Sequence, residues 1–259
     1  MFNLLLGILI PFLGTAVGSF MVFFMHDKFN EKFEKILLGF SSGVMIAASI
    51  WSLIIPAINK SKFLNKLSFI PAVIGLIFGV VFMLILDKVC AKISNNNAVK
   101  TDIFDGKKRT KLLFWAITIH NIPEGMAVGV ALASAYFGYG QMIFVSALIL
   151  SVGIAVQNIP EGAITSMPLK NDGFSKARAF SFGVLSGIVE PIFAIITVFL
   201  TRFITPVLPY LLAFAAGAMI FVVVDELIPE SHVGKFSKTS TISFIVGFIL
   251  MMILDVALG

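Results

Sequence analysis

Two six-residue stretches concentrate the groups able to do chemistry: His120-Asn-Ile-Pro-Glu-Gly125 and Gln157-Asn-Ile-Pro-Glu-Gly162, identical at five of six positions and 37 residues apart. On a helix His120 and Glu124 stand four residues apart, about 40° in azimuth, so both reach one face, with Asn121 on a neighbouring flank. Gln157, Asn158 and Glu161 repeat the spacing. Two such helices facing each other offer an imidazole nitrogen, an amide oxygen and two carboxylates to one point, a mixed nitrogen and oxygen set suited to Zn²⁺, Fe²⁺, Mn²⁺ or Cd²⁺. Pro123 and Pro160 add to this. Each lacks an N–H, so the carbonyls of Ile119 and Val156 lose their helical partner, which apolar surroundings tolerate only where protein, water or an ion fills the gap. The plainer alternative is a pair of kinks that only shape packing.

The elements that carry these motifs are apolar. Of 259 residues, 58% are hydrophobic and 13% charged, with a mean hydropathy of +1.02; soluble domains run at about 45–50% and about 25%. That little charge cannot cover a globule in water, which excludes a soluble enzyme, a secreted domain and a disordered chain and leaves an integral membrane protein. A single cysteine, Cys90, excludes an internal disulfide and a multi-thiolate metal cage. A span of bilayer needs about 20 apolar residues as helix, and eight stretches qualify: 4–25, 36–58, 67–86, 112–137, 140–169, 179–201, 204–224 and 239–258. The first lacks the basic start of a cleaved signal peptide and reads as a spanning helix. The expected fold is therefore all-α, a polytopic membrane protein with eight transmembrane helices forming one transporter domain over 1–259.

Charge sets the orientation. The loops after spans 1, 3, 5 and 7 carry fourteen Lys and Arg, the other side only Lys60, Lys62, Lys66 and Arg202, and Lys88 ends span 3. By the positive-inside rule both termini lie outside and residues 91–111 form a cytoplasmic loop. The net charge of +5 thus belongs to loops beside the bilayer and gives no reason to expect nucleic acid.

Internal repetition extends beyond the two motifs. Leu37-Leu-Gly-Phe40 with Gly43 and Met45 returns as Leu211-Leu-Ala-Phe214 with Gly217 and Met219, an offset of 174, and Phe82-Met-Leu-Ile-Leu-Asp87 as Leu250-Met-Met-Ile-Leu-Asp255, an offset of 168. Gly14 and Gly18 set against Gly183 and Gly187 make a weaker match for spans 1 and 6. Helices 1–3 thus resemble helices 6–8, shifted by an odd number of crossings, as inverted repeats around the central helix 4/5 pair. Secondary transporters are built this way, with substrate bound near the midplane. A carboxylate at that depth costs about 2.5–3.5 kcal/mol on insertion scales. This chain places three there, Glu124, Glu161 and Glu190, which a passive scaffold would not need and a bound cation would neutralise.

The paired HNIPEG and QNIPEG motifs, within eight apolar helices, closely resemble those of the ZIP (Zrt/Irt-like) divalent metal transporters, in particular their bacterial members. The resemblance covers nearly the whole chain. It implies a metal site of His120, Asn121 and Glu124 with Gln157, Asn158 and Glu161, and Glu190 matches a position that completes a second, adjacent site. Met45 resembles the family's methionine beside the site. Some bacterial members carry aspartate where this chain has Asn158, and residues 91–111 lack the histidine-rich run of many relatives. The resemblance further implies uptake of zinc, with iron, manganese or cadmium as further substrates, toward the cytoplasm across a cell membrane by a homodimer, the metal being cargo and no cofactor being needed.

Other residues invite weaker readings. Asp225, Glu226, Glu230 and His232 gather at the inner end of span 7, either as acceptors for a departing metal or as an ordinary interfacial helix end. Asp87 and Asp255 read as interfacial caps, His26 as a solvated loop side chain and Asn95–Asn97 as a flexible linker. The rival from another class is an intramembrane metal-dependent hydrolase, since H-x₃-E with further carboxylates could hold a metal and an activated water. No HExxH and no nucleophile beside a base is present, so the chain reads as a transporter and not an enzyme.

Overall fold

The computed structural model describes residues 2–25, 30–96, 106–137, 144–203 and 207–258. His26 and Asn97 lie outside the described residues, as do the side chains of Asp87, Cys90 and His120, whose backbone is described. Every regular element among the described residues is helical: α1 (Phe2–Phe20) with a closing 3₁₀ turn, α2 (Glu31–Ala48), α3 (Ile55–Lys60), α4 (Ile70–Asn96), α5 (Gly106–Tyr136), α6 (Phe144–Asn171), α7 (Lys176–Gly187), α8 (Val189–Phe203), α9 (Leu208–Val222), α10 (Ile228–His232) and α11 (Ser237–Leu258). Lipid offers the backbone no partner, so chains this apolar satisfy each N–H within their own helix. Where helices start in the polar zone, side chains supply the missing acceptors. Asn30 accepts from the Lys32 amide at 2.9 Å and Ser175 from the Arg178 amide at 3.3 Å.

Among the described residues six segments are long and apolar enough to cross a bilayer, Asn3–Phe24, Glu31–Lys60, Phe144–Asn171, Lys176–Thr201, Leu208–His232 and Ser237–Ala257, and Ile70–Leu86 is a shorter apolar helix. The chain is thus an all-helical, polytopic membrane protein. Its exterior fits lipid, with Ile77, Phe78 and Ile85 on α4, Phe199 on α8, and Ile242 and Val256 on α11 all exposed.

Several expected boundaries move. The polar end of span 3 does not stop α4, which runs to Asn96 and so takes in most of the expected linker; asparagine costs a helix only a few tenths of a kcal/mol. Span 7 continues past 224, through a π-helical turn at Val223–Leu227 into α10, and span 2 makes the same wide turn at Ser49–Ile54 before α3. Prolines explain both turns. Pro56 and Pro229 lack an N–H and crowd the carbonyl four residues back, and widening the helix relieves the clash without ending it. Span 6 is divided at Ile188 into α7 and α8. By contrast α5 and α6 remain helical through Pro123 and Pro160.

The helices pair as α1 with α6, α5 with α8, α2 with α11 and α4 with α9. The first two pairs form one group and the last two another, and the groups meet where α2 touches α6 and α5 touches α9. Glycine permits the close crossings. Gly14 and Gly18 of α1 lie against the backbone of Ala155 and Ile159, and Gly125 and Gly129 of α5 against that of Glu190 and Ala194. In the second group Gly43 meets Phe244 and Gly247 meets Phe40, while Gly217 meets Leu76 and Gly79 meets Phe214. A Cβ at any of these positions would strike backbone, which cannot yield as a side chain can.

Candidate metal centre

The first group carries the polar interior. Asn121 and Glu124 on α5, Gln157, Asn158 and Glu161 on α6 and Glu190 at the start of α8 are all buried, Glu124 and both α6 amides at 0% exposure. His120 lies on α5 one turn before Glu124.

The hydrogen bonds divide these groups into held and free ends. The Gln157 amide donates to Oε1 of Glu124 at 2.5 Å, Thr15 of α1 donates its hydroxyl to Oε1 of Glu190 at 2.8 Å, and Ser41 of α2 donates to Oε1 of Glu161 at 2.6 Å. Asn121 donates to the Ser186 carbonyl at 3.0 Å and Asn158 to the Pro11 carbonyl at 3.4 Å. With their N–H groups so committed, the amides leave their oxygens over. Among the described residues Oδ1 of Asn121, Oδ1 of Asn158, Oε1 of Gln157, Oε2 of Glu124 and Oε2 of Glu190 are buried and have no hydrogen-bond partner. Each is an acceptor, and a buried acceptor without a donor costs about 1–3 kcal/mol. The Glu161 carboxylate lies within electrostatic reach of Glu124 and of Glu190, and the Asn158 side chain faces both.

The sequence expected three helices to contribute these polar groups, and in the structure α5, α6 and α8 each carry buried ones. It missed how the groups are arranged: the carboxylates are interleaved with amides, and among the described residues no three His, Cys, Asp or Glu side chains close around one point. It also missed Thr15 and Ser41. Small hydroxyl residues within apolar spans were the signal that could have found them. Met45 is buried in the apolar core one turn beyond Ser41.

The remaining expected residues lie elsewhere. Asp225 and Glu226 sit on the π-helical turn and Glu230 and His232 on α10. His232 is tied down on both sides of its ring, Nδ1 at 2.9 Å from the Ile228 carbonyl and Nε2 at 3.2 Å from the Thr241 hydroxyl. Lys35 donates to the Glu230 carbonyl. Asp255 is not a cap: its Oδ1 accepts from the Ser52 hydroxyl at 2.6 Å, because the wide turn in span 2 swings Ser52 toward α11.

A helical bundle with apolar residues toward lipid and carboxylates with amides in its core is an integral membrane protein of the kind that handles polar cargo. Known proteins narrow the class. Residues 141–255 match the family described as ZIP Zinc transporter. Over 95% of its length the chain is 35% identical to zinc transporter ZIP11 of Bos taurus, covering 94% of that protein. It is 34% identical to zinc transporter ZIPB of Bordetella bronchiseptica over 96% of the chain and 79% of the relative, and 30% identical to zinc transporter ZupT of Streptococcus mutans over 85% and 84%. The chain belongs to the ZIP family.

Proposed function

We propose that this protein carries divalent transition-metal ions, zinc foremost and iron, manganese or cadmium as further candidates, across a cell membrane toward the cytoplasm, through a midplane site on α5, α6 and α8. The observation that carries the reading is the set of five orphaned acceptor oxygens on Asn121, Glu124, Gln157, Asn158 and Glu190. Unsatisfied acceptors without matching donors describe what a cation needs and what nothing else in lipid supplies. In this reading His120 and Glu161 complete the ligand set, and Asp225, Glu226, Glu230 and His232 mark the inner mouth, with Met45 beside the path. Membership in a transporter family removes the hydrolase alternative.

The architecture we propose is one domain of eight transmembrane helices over residues 1–259, with spans 1–3 and 6–8 as inverted repeats around α5 and α6 and both termini outside. The helix pairs support it. Exchanging spans 1–3 with 6–8 and α5 with α6 turns the α1/α6 pair into the α8/α5 pair and the α2/α11 pair into the α9/α4 pair. Individual contacts follow: Gly43 on Phe244 corresponds to Gly217 on Leu76, and Gly247 on Phe40 to Gly79 on Phe214, at the offsets of 174 and 168. For spans 1 and 6 the contacts favour another register than the Gly14 and Gly18 match. Asn158 on the Pro11 carbonyl answers Asn121 on the Ser186 carbonyl, and Gly162 on Thr15 answers Gly125 on Glu190. That register is 175, and it makes Thr15 the counterpart of Glu190. Assembly as a homodimer belongs to the same proposal.

Uptake of radioactive zinc into proteoliposomes containing only this protein tests the function. Uptake by the parent chain and its loss in Glu124→Ala are expected, and a Glu124→Ala variant that transports as the parent does would overturn the site.

A further inference from the structure

The serines of the apolar helices mostly turn back on their own backbone: Ser42 donates to the Leu38 carbonyl, Ser49 to that of Met45 and Ser61 to that of Ala57, each four residues earlier. Ser41 does not. Fully buried on α2, it reaches across to α6 and donates to Oε1 of Glu161 at 2.6 Å. Its other acceptor in range is the Gln157 carbonyl at 3.4 Å. A hydroxyl has one hydrogen, and the nearer carboxyl oxygen takes it.

We propose that Ser41 is a positioning residue for the transported ion, its hydroxyl holding the Glu161 carboxylate in the rotamer from which it meets the cation. This deepens the proposed metal site and rests on it. Glu161 swings on a flexible side chain and stands within electrostatic reach of Glu124 and Glu190. A donor on one oxygen fixes the orientation of the group, and a carboxylate has about four acceptor positions in all, more than one hydroxyl uses. The donor comes from the other helix group, so it also ties the site to α2 and, through α2, to α11. Glu124, on the matching motif, is held differently, by Gln157 of the site itself, and the residue 174 positions on from Ser41 is Ala215, buried and without a hydroxyl. Ser41 therefore makes the two glutamates of the repeated motif unequal, with Glu161 pre-set from outside the motif helices.

Partners that orient a metal ligand typically contribute about 10–100-fold in affinity. The test uses the purified full-length protein, with zinc affinity by equilibrium dialysis, initial rates of zinc uptake in proteoliposomes, and the metal-free thermal midpoint as the check on folding. Ser41→Ala is expected to raise Kd and KM by about 10–100-fold with a much smaller change in the maximal rate. Ser41→Thr and Ser41→Val have nearly equal volume and differ in the hydroxyl. Thr is expected to bind zinc as the parent does and Val as Ala does, so the pair decides the matter even if Ala disturbs folding. Parent-like affinity in Ser41→Ala, or equal affinity in Thr and Val, overturns the role of Ser41. Glu124→Ala, measured in parallel, separates the two levels. If it loses zinc while Ser41→Ala and Ser41→Val keep it, Ser41 alone has been misread; if it also keeps zinc, the site itself is misplaced and the proposal for Ser41 falls with it.

Discussion

At the residue scale the site is defined by what its hydrogen bonds leave over. Gln157, Asn121 and Asn158 each spend an N–H on a neighbour, so their oxygens are left as buried acceptors without a donor. Removing Glu124 deletes one carboxylate of the proposed site and strands the buried Gln157 amide, which costs about 1–3 kcal/mol of stability. Glu124→Ala should therefore lose most zinc uptake while still reaching the membrane, as measured by uptake normalised to protein in the vesicles. Uptake should also fall as pH is lowered, since protons compete with the metal for imidazole and carboxylate, and a pH series on the same vesicles would show it. Asn158 faces both Glu124 and Glu190 and brings no charge of its own. Two cations close together repel strongly in a poor dielectric, so the ion nearer Glu190 should bind weakly, and Asn158→Asp should raise its occupancy selectively in Cd²⁺ dialysis. Two equally tight ions in the parent would contradict this. The motif residues were legible because their spacing is a local, helical property. Thr15 and Ser41 were not, because a hydroxyl reveals its partner only once helices far apart in the chain are brought together.

At the element scale, glycine at the crossings matters more than the length of any helix. In lipid no hydrophobic force presses helices together, so association depends on close contact, and Gly247 against the Phe40 backbone sets the α2/α11 distance as Gly79 against Phe214 sets that of α4/α9. Valine at either glycine should cost at least about 1–3 kcal/mol, the usual cost of overpacking, since here backbone and not side chain must move. Thermal unfolding in detergent should show lower midpoints for Gly247→Val and Gly79→Val and an unchanged one for Ile245→Val on the exposed face of α11; a parent-like midpoint for both glycine variants would mean the crossings are looser than described. Hydropathy located the six long apolar segments because lipid demands long apolar helices. It ended span 7 too early, because Asp225, Glu226 and Pro229 look like a terminus. The helix instead absorbs the proline in a wide turn, and the turn before Pro56 shows the same solution in span 2. The register between spans 1 and 6 was hidden for another reason: Pro11 and Ser186, or Thr15 and Glu190, share a place in the packing and no side-chain chemistry.

At the scale of the whole molecule, the proposed orientation rests on the lysines, and the short connections carry its test. Lys62, between α3 and α4, and Lys235, between α10 and α11, are both exposed, and the proposed eight-span topology puts them on opposite sides of the membrane. Ser61 looks like a natural probe of the first connection, but it is fully buried, its hydroxyl on the Ala57 carbonyl, so a thiol there would go unlabelled from either side. With fourteen basic residues on the side of Lys235 against four on the side of Lys62, moving the more basic connections outward would oppose the charge bias that orients helices on insertion. In a Cys90→Ala background, Lys62→Cys should react with an impermeant thiol reagent in intact cells, and Lys235→Cys only after the membrane is opened. Each variant removes one lysine and leaves the imbalance large, so neither substitution should itself invert the protein. Labelling of position 235 from outside, with position 62 protected, would reverse the orientation and with it the direction of transport assigned to the inner mouth at Asp225 and Glu226.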